Sequence, residues 1–450
     1  MKEQFDLVVI GTGAAGSTVA SRCRAAGWNV AIVDSRPFGG TCALRGCDPK
    51  RVLVGAADLR DWSQRMASKR ISSDPIRVDW PALMQFKRTF TDPVPEDRET
   101  SFSTAGIHAF HGRARFLDRN TLQIGADVVN AQKIVIASGA MPAPLRISGE
   151  EYLTRSDQFL DLDRLPDRIL FVGGGYISFE FAHLAAEAGA QVRILHRGAR
   201  PLEHFDPDLV NELVSADREV AIDIQLNTMV KLIERADGRF TVTASADEAE
   251  QRFVADLVVH GAGRVPEIDD LELATAGVER DRRGVIVNEY LQSTSNPTVY
   301  AAGDAASTPG MPLTPVASME GEVVASNLLE GNHRKPNYAG IPTVVFTNPP
   351  LASVGLLEEE ASKRGLKYRL NHQNTTKWYS SKRTAITRSG FKVLVEEQSD
   401  VILGAHLWGP NSEEVINLFG LAIRLGLRSG DLRQMVYSYP TSSSDIPYMV

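Results

Sequence analysis

The chain of 450 residues has only three cysteines, Cys23, Cys42 and Cys47. That is too few for a disulfide-stapled secreted scaffold and points to a reducing, cytoplasmic compartment. No apolar run reaches the roughly 18–20 residues needed to span a bilayer, which argues against a membrane protein. The N-terminus, MKEQFDLVVIG, enters a strand-like run at once and carries no secretory signal. A basic excess is also missing. The 49 Lys and Arg stand against 56 Asp and Glu, a net charge of −7, which argues against a nucleic-acid-coating surface. With 43% apolar and 23% charged residues, the composition excludes collagen, disorder and coiled coil. What remains is a soluble globular chain of roughly two to four domains.

Two segments repeat one pattern. Residues 5–10 form a continuous apolar run, read as a buried parallel strand. Gly11-Thr12-Gly13-Ala14-Ala15-Gly16 follows as a turn, then a helix over 17–26 and a second strand over 29–34. The order recurs at 168–172, Gly173-Gly174-Gly175, a helix from Tyr176 to about Gly189, and a strand over 191–196. The stretch 68–99 is read as helical, with breaks at Pro75, Pro81, Pro93 and Pro95. From Ile341 onward, strand-like runs precede an apolar helix at 413–425, the pattern of a separate α+β domain. The expected fold is therefore α/β. Two Rossmann-like dinucleotide-binding domains are joined to a C-terminal α+β domain, with boundaries at 1–143, 144–268, 269–338 and 339–450.

Gly11, Gly13 and Gly16 fit G-x-G-x-x-G between a strand and a helix. There glycine permits the tight turn, the close backbone approach to a pyrophosphate, and tight helix–strand packing. The helix N-terminus adds amide donors. Asp34, at the end of the second strand, supplies the expected ribose-binding acid.

Cys42 and Cys47 stand in Gly39-Gly40-Thr41-Cys42-Ala43-Leu44-Arg45-Gly46-Cys47-Asp48-Pro49-Lys50. Zinc would need further ligands, and Cys23 is the only other thiol. Two inert buried thiols are a second reading. The third is a redox-active dithiol, its thiolate favoured by a helix start and by Arg45 or Lys50 nearby.

The motifs that carry a resemblance run along the whole chain. They are the first glycine cradle, Gly40-Thr41-Cys42-x4-Cys47-x-Pro49-Lys50, Ala137-Ser138-Gly139-x-x-Pro142, and Gly173-x-Gly175-Tyr176-Ile177-x-x-Glu180. Gly263-Arg264-x-Pro266, Ala302-Gly303-Asp304, Leu313-Thr314-Pro315-Val316-Ala317 and Pro349-Pro350-x-x-x-Val354-Gly355 complete them. This set resembles the class I pyridine nucleotide–disulfide oxidoreductases, which include glutathione reductase, dihydrolipoamide dehydrogenase and mercuric reductase.

The resemblance implies FAD in the first cradle and electron flow from NADPH, or NADH, through FAD to a Cys42–Cys47 disulfide. It makes Cys47 the flavin-facing, charge-transfer thiol and Cys42 the interchange thiol. Asp34 would hold the adenosine ribose, with Ser35 beside it, and Asp304 the ribityl chain. Gly11, Gly13, Ala14, Ala15, Gly16, Gly40 and Thr41 would line the FAD site, and so would Arg113, Ala114, Ser138, Gly139 and Thr314. Lys50 would sit near flavin N5 and pair with Glu180, because a buried lysine needs an opposite charge. In the second cradle, Gly173, Gly175, Ile177 and Gly263 would meet the nicotinamide nucleotide, with Tyr176 as a gate over the flavin. The second strand ends His196-Arg197, with Arg200 close behind, and lacks the acid that binds a ribose 2′-hydroxyl. Cations there suit the 2′-phosphate of NADPH. No metal site is expected.

The family's C-terminal His-Pro-Thr-x-x-Glu reads here Tyr439-Pro440-Thr441-Ser442-Ser443-Ser444-Asp445. A tyrosine, with an ordinary pKa of about 10, is a poor acid near neutrality. The chain also ends without the vicinal cysteines of mercuric reductases. Glu322 follows Gly321 where glutathione-type enzymes carry arginine, and an acid there is expected to repel a glutathione carboxylate. The sequence thus predicts a homodimer. Tyr439 would project toward the partner's Cys42, the helix residues Val415 to Ala422 would form dimer core, and the acceptor would be a small molecule or small protein. A disulfide, persulfide, metal ion or quinone fits that acceptor. A low-turnover redox sensor is the alternative.

Overall fold

The computed structural model describes residues 3–69, 76–246 and 249–450. The expected break at Pro75 lies outside the described residues. The chain divides into two compact units. One comprises Met1–Arg51, Gln85–Ala143 and Arg264–Tyr338; the other Val52–Met84, Pro144–Gly263 and Ala339–Val450.

In the first unit a sheet runs, in spatial order, His108–His111, Val30–Asp34, Glu3–Ile10 and Asp127–Ile136. These four strands are parallel. Thr121–Ile124 and Ala114–Phe116 continue the sheet antiparallel, and Val299–Ala301 adds in parallel along Ile134–Ile136. The strand Glu3–Ile10 is apolar without alternation because both its faces are covered. Phe5, Val8 and Ile10 enter one core while Leu7 and Val9 enter another. The helix Ala14–Ala25 packs Val19, Ala20 and Cys23 onto the second face, against the helix Thr314–Glu330.

The second unit repeats the parallel motif, with strands in the order Ile222–Gln225, Gln191–Leu195, Arg168–Val172 and Leu257–His260. A three-stranded antiparallel sheet follows Ile222–Gln225 in the chain, built from Thr228–Ala236, Arg239–Ala246 and Ala249–Ala255. A five-stranded antiparallel sheet runs Thr343–Val345, Leu351–Gly355, Ile402–Trp408, Gly390–Glu396 and Tyr368–Asn374.

The helix Ser412–Leu425 lies against that sheet, and here the structure corrects an expectation. Val415, Ile416, Phe419 and Ala422 are buried in the subunit's own core. The outward face instead exposes Leu421 and Leu425, with Met435 and Val436 further along the chain. An amphipathic helix has one apolar stripe facing its own sheet, and the sequence run had merged that stripe with the outer residues.

The prolines also sort themselves. Pro81 is the second residue of the helix Trp80–Thr91, and Pro95 lies in the first turn of Val94–Ala105. Neither breaks a helix, because a first-turn residue has no intrahelical N–H bond to lose.

Candidate functional site

The first glycine cradle closes on itself. Gly11 has φ +106°, and a Cβ there would meet the Ala137 carbonyl oxygen at 2.2 Å. A Cβ on Gly16 would meet the Gly11 oxygen at 2.0 Å, and one on Gly40 would meet Gly13 Cα at 2.5 Å. Backbone thus approaches backbone at all three, and Gly13 caps the helix Ala14–Ala25 with its amides open.

Asp34 is held by this loop. Its Oδ2 accepts from the Thr12 amide at 3.0 Å and the Thr12 hydroxyl at 2.7 Å, and its Oδ1 accepts from the Arg36 amide at 3.0 Å. A carboxylate has about four acceptor positions, so roughly one is left for a ligand.

These residues line a cavity of about 250 Å³. Gly11, Gly13, Ala14, Ala15, Asp34, Ser35, Gly40, Thr41, Cys42 and Cys47 are on its wall, with Arg113, Ala114, Ser138, Gly139, Asp304 and Thr314. Gly16 and Lys50 are not. Gly16 packs the helix onto the loop, and Lys50 stands one turn beyond Cys47 in the helix Cys47–Ala67.

Sequence reasoning missed Arg36, Glu267 and Asp270, which also line the cavity, as does Arg45 beside the dithiol. Arg36 ion-pairs with Glu267 and Arg113 with Asp270. These pairs join residues far apart in the chain, which no local pattern encodes.

Also on the cavity wall, the Asp304 carboxyl is held by burial above the ordinary carboxylate range, against the pull of Arg264. The preceding turn is pinned by the buried Glu320. That carboxylate accepts from the Gly303 amide at 2.7 Å, the Thr308 hydroxyl at 2.9 Å and the Tyr338 hydroxyl at 2.7 Å.

Cys42 and Cys47 are free thiols. Cys42 sits in the short helix Gly40–Arg45, and Cys47 opens the helix Cys47–Ala67. The two differ sharply. Cys47 is lowered to about 6, first by the hydrogen bond from Cys42, and further by the Thr314 hydroxyl, 3.5 Å from its sulfur, and by the Lys50 charge. Burial works against this. Cys42 is raised, because it donates to Cys47, because it is desolvated, and because the charge of Asp48 lies beside it. Asp48 Oδ1, 3.9 Å from the Cys42 Sγ, is a second acceptor within reach of the same single proton. Cys23 is inert by comparison, buried and pushed up to about 12.

The second cradle lies in the other unit. Gly173 has φ +106°, and a Cβ there would meet the Gly261 oxygen at 2.4 Å. Gly175 caps the helix Tyr176–Glu187, and Ile177 packs half-buried against the hydrophobic core. The Tyr176 hydroxyl is hydrogen-bonded to Thr343, and its ring meets Phe205 edge-on at 5.5 Å between centroids. Glu180 is buried and accepts from the Phe346 amide at 3.0 Å. One turn on, His183 Nδ1 accepts from the Asn348 amide at 3.2 Å, and its Nε2 lies 3.1 Å from Asp217.

The three cationic candidates of this cradle differ in what they offer. His196 spends both ring nitrogens on the loop itself, with Nδ1 accepting from the Gly174 amide at 3.1 Å and Nε2 lying 2.9 Å from the Arg200 carbonyl. Burial lowers its pKa, so the ring is neutral and adds no charge near pH 7. Arg200 is half-buried and reaches the Glu203 carbonyl at 3.4 Å. Arg197 is exposed and has no hydrogen-bond or ion-pair partner among the described residues. Gly263, with φ +101°, follows the last strand of this sheet.

The C-terminal departures resolve in part. Tyr439 is 83% exposed. Asp445 turns inward, accepting from the Ser380 hydroxyl, and burial raises its carboxyl. Glu322 pairs with Arg22 and does not line the cavity. Its charge is matched by Arg22 across two packed helices.

The cavity's donor set fits FAD. One cavity wall brings together an acid with one open acceptor position, the amides of a helix N-terminus, Asp304 and the dithiol.

Comparison with known proteins agrees with this reading. The family model described as pyridine nucleotide-disulphide oxidoreductase matches residues 5–321, and the dimerisation domain of the same family matches 341–450. A glutathione reductase from Nostoc sp. is 30% identical over 100% of both chains. A mercuric reductase from Staphylococcus aureus is 29% identical over 98% of this chain and 81% of its own length. Among solved structures, the Cu(II) complex of the HOCl-induced flavoprotein disulfide reductase RclA from Escherichia coli superposes with a TM-score of 0.88. It is 26% identical and covers 100% of this chain and 99% of that one. Among the described residues no helix is long and apolar enough to cross a membrane.

Proposed function

Because this chain belongs to the pyridine nucleotide–disulphide oxidoreductases, we propose that it takes electrons from NADPH and delivers them through the Cys42–Cys47 pair to a disulfide or persulfide acceptor. FAD bound in this cavity would supply the two-electron relay between the nicotinamide and the cysteines. The observation that carries the reading is the asymmetry of the two thiols within one cavity wall. Cys47 is held as a thiolate by Cys42, Thr314 and Lys50, while Cys42 keeps its proton. A reductase needs that division, with one sulfur storing charge beside the cofactor and the other meeting the acceptor.

Asp34 and Ser35 would hold the adenosine ribose, the amides of Ala14 and Ala15 the pyrophosphate, and Asp304 the ribityl chain. Lys50 and Glu180 are the charges assigned to the flavin ring, and Tyr176 the gate, which would surrender its bond to Thr343 to move. Arg197, exposed and unpaired, supports NADPH over NADH, assisted by Arg200. The dimerisation domain supports a homodimer, in which Tyr439 of each subunit would flank the other's Cys42 as an acceptor ligand.

The test is NADPH consumption against a panel of acceptors in wild type and Cys42→Ser. Turnover of a disulfide or persulfide that disappears in the variant is expected. Turnover that survives it, or reduction that stops after one equivalent, would overturn the reading. A Cu(II) acceptor is the second reading, favoured by the Cu(II) complex of the neighbour from Escherichia coli, and Cu(II) belongs in the same panel.

A further inference from the structure

The chain has replaced the family's C-terminal histidine with Tyr439 and supplies no acid at Ser444. Asp445 faces inward to Ser380 and Glu322 is matched by Arg22, so both carboxylates already have partners within the subunit. A carboxylate does stand at the reacting sulfur, from an unexpected place. Asp48 is the second residue of the helix Cys47–Ala67, directly after one cysteine, and its Oδ1 lies 3.9 Å from the sulfur of the other, Cys42, within reach of the proton that Cys42 otherwise turns toward Cys47. Thiol donors make long, weak hydrogen bonds, and this one lies within their range. Asp48 is exposed, as a group exchanging protons with an incoming acceptor must be. Its place in the first helical turn suits a negative charge.

We propose that Asp48 is a catalytic residue, the proton carrier of the acceptor half-reaction, supplied within the subunit in place of the partner's missing histidine. The proposal rests on the functional reading above. The reduced enzyme holds a Cys42 thiol and a Cys47 thiolate. Asp48 takes the Cys42 proton, and the Cys42 thiolate attacks one sulfur of the acceptor disulfide. The acceptor S–S bond breaks as a Cys42–acceptor disulfide forms. The leaving thiolate takes the proton back from Asp48 and departs as a thiol. Cys47 thiolate then attacks Cys42 Sγ, re-forming the Cys42–Cys47 disulfide, and the second acceptor thiolate is protonated from water. In sum, one thiol, one thiolate, one disulfide and one proton give one disulfide and two thiols, a transfer of two electrons.

The identity of the leaving group makes this testable. An aliphatic thiolate is a poor leaving group and needs the proton; an aromatic thiolate leaves unaided. The FAD-loaded enzyme, pre-reduced with NADPH, is mixed in single turnover with 2-hydroxyethyl disulfide or with 5,5′-dithiobis(2-nitrobenzoate). Asp48→Asn is expected to slow the aliphatic reaction about 100-fold, the low end of general acid–base contributions, and the aromatic one by less than about tenfold. Asp48→Glu is expected to recover at least part of the aliphatic rate. Equal losses on both disulfides, or no loss, would overturn the proposal.

A second readout does not use an acceptor. Alkylation of Cys42 by iodoacetamide, measured against pH, is expected to begin at lower pH in Asp48→Asn, because the neighbouring negative charge is gone. An unchanged profile would overturn the Asp48–Cys42 contact. A wild-type enzyme that reduces neither disulfide while its Cys42 profile does respond to Asp48 would overturn the functional reading instead.

Discussion

The hydroxyl of Thr12 lies 2.7 Å from Asp34 Oδ2, and the same oxygen takes the Thr12 amide at 3.0 Å. The phosphate turn and the ribose acid are therefore one hydrogen-bonded piece. Asp34→Ala should weaken FAD binding by about 1.5–3 kcal/mol, the value of a hydrogen bond to a charged group. Thr12→Val should weaken it less, by leaving the carboxylate in place but unoriented. Flavin fluorescence during reconstitution of the apoprotein measures both. Unchanged affinity in Asp34→Ala would relocate the cofactor's ribose.

NADPH should reduce the enzyme faster than NADH, and Arg197→Glu should erase or reverse that preference. His196 is neutral near pH 7, so Arg197 and Arg200 carry the charge. The preference should accordingly persist up to pH 8 rather than fade above the histidine range. Stopped-flow reduction with each nucleotide, at several pH values, decides it.

In the reduced apoprotein, the Cys47 thiol should titrate near pH 6, well below an ordinary cysteine. A lowered pKa means that the thiolate is present above that midpoint and lost as pH falls through it. Cys42→Ala removes the thiol donor that lowers Cys47 most, and Thr314→Ala removes another. Each should move the midpoint upward, toward about 8.5. Thiolate absorbance in the ultraviolet, read against pH, follows the shift.

Leu425 and Val436 are 63% and 92% exposed in the single subunit. A two-fold interface would bury each twice. Leu425→Asp with Val436→Asp should therefore convert a homodimer to monomer in sedimentation, while FAD stays bound. Acceptor turnover should fall with the dimer, since Tyr439 is assigned to the partner's site. A wild-type protein that sediments as a monomer would overturn that assignment.

Tyr439→Phe should raise KM for the acceptor and leave kcat within about threefold, because the phenol is assigned to binding. A kcat loss as large as that of Asp48→Asn would make it the acid instead.

Much of the site was legible because its residues are contiguous. Gly11 to Gly16 and Cys42 to Cys47 are local patterns tied to a turn and a helix start, and Asp34 follows at a set distance. What was not legible came from distance or from competition. Arg36 finds Glu267, and Arg113 finds Asp270, only once the sheet has formed. His196 looked like a cation because it adjoins Arg197, yet the Gly174 amide claims its ring. Helical periodicity separates Val415, Ile416, Phe419 and Ala422 from Leu421, although the residues form one apolar block along the chain. Asp48 was visible in the sequence as a residue beside Cys47. Its significance lies in its approach to Cys42, which arises only because the chain breaks at Gly46 between the helix Gly40–Arg45 and the helix Cys47–Ala67.

The strand Asp127–Ile136 is flanked by Glu3–Ile10 and, near its end, by Val299–Ala301. This has a consequence for synthesis. The dithiol segment leaves the ribosome early, whereas Thr314 and the Asp304 turn, which complete the cavity wall, lie more than 250 residues later. At the usual rate of about 5–20 residues per second, they follow after on the order of ten seconds or more. During that interval Cys42 and Cys47 stand without their enclosing wall, and the thiol-lowering hydroxyl of Thr314 has not arrived. The nascent pair is thus open to premature oxidation, and the cofactor can be captured only after most of the chain has been made.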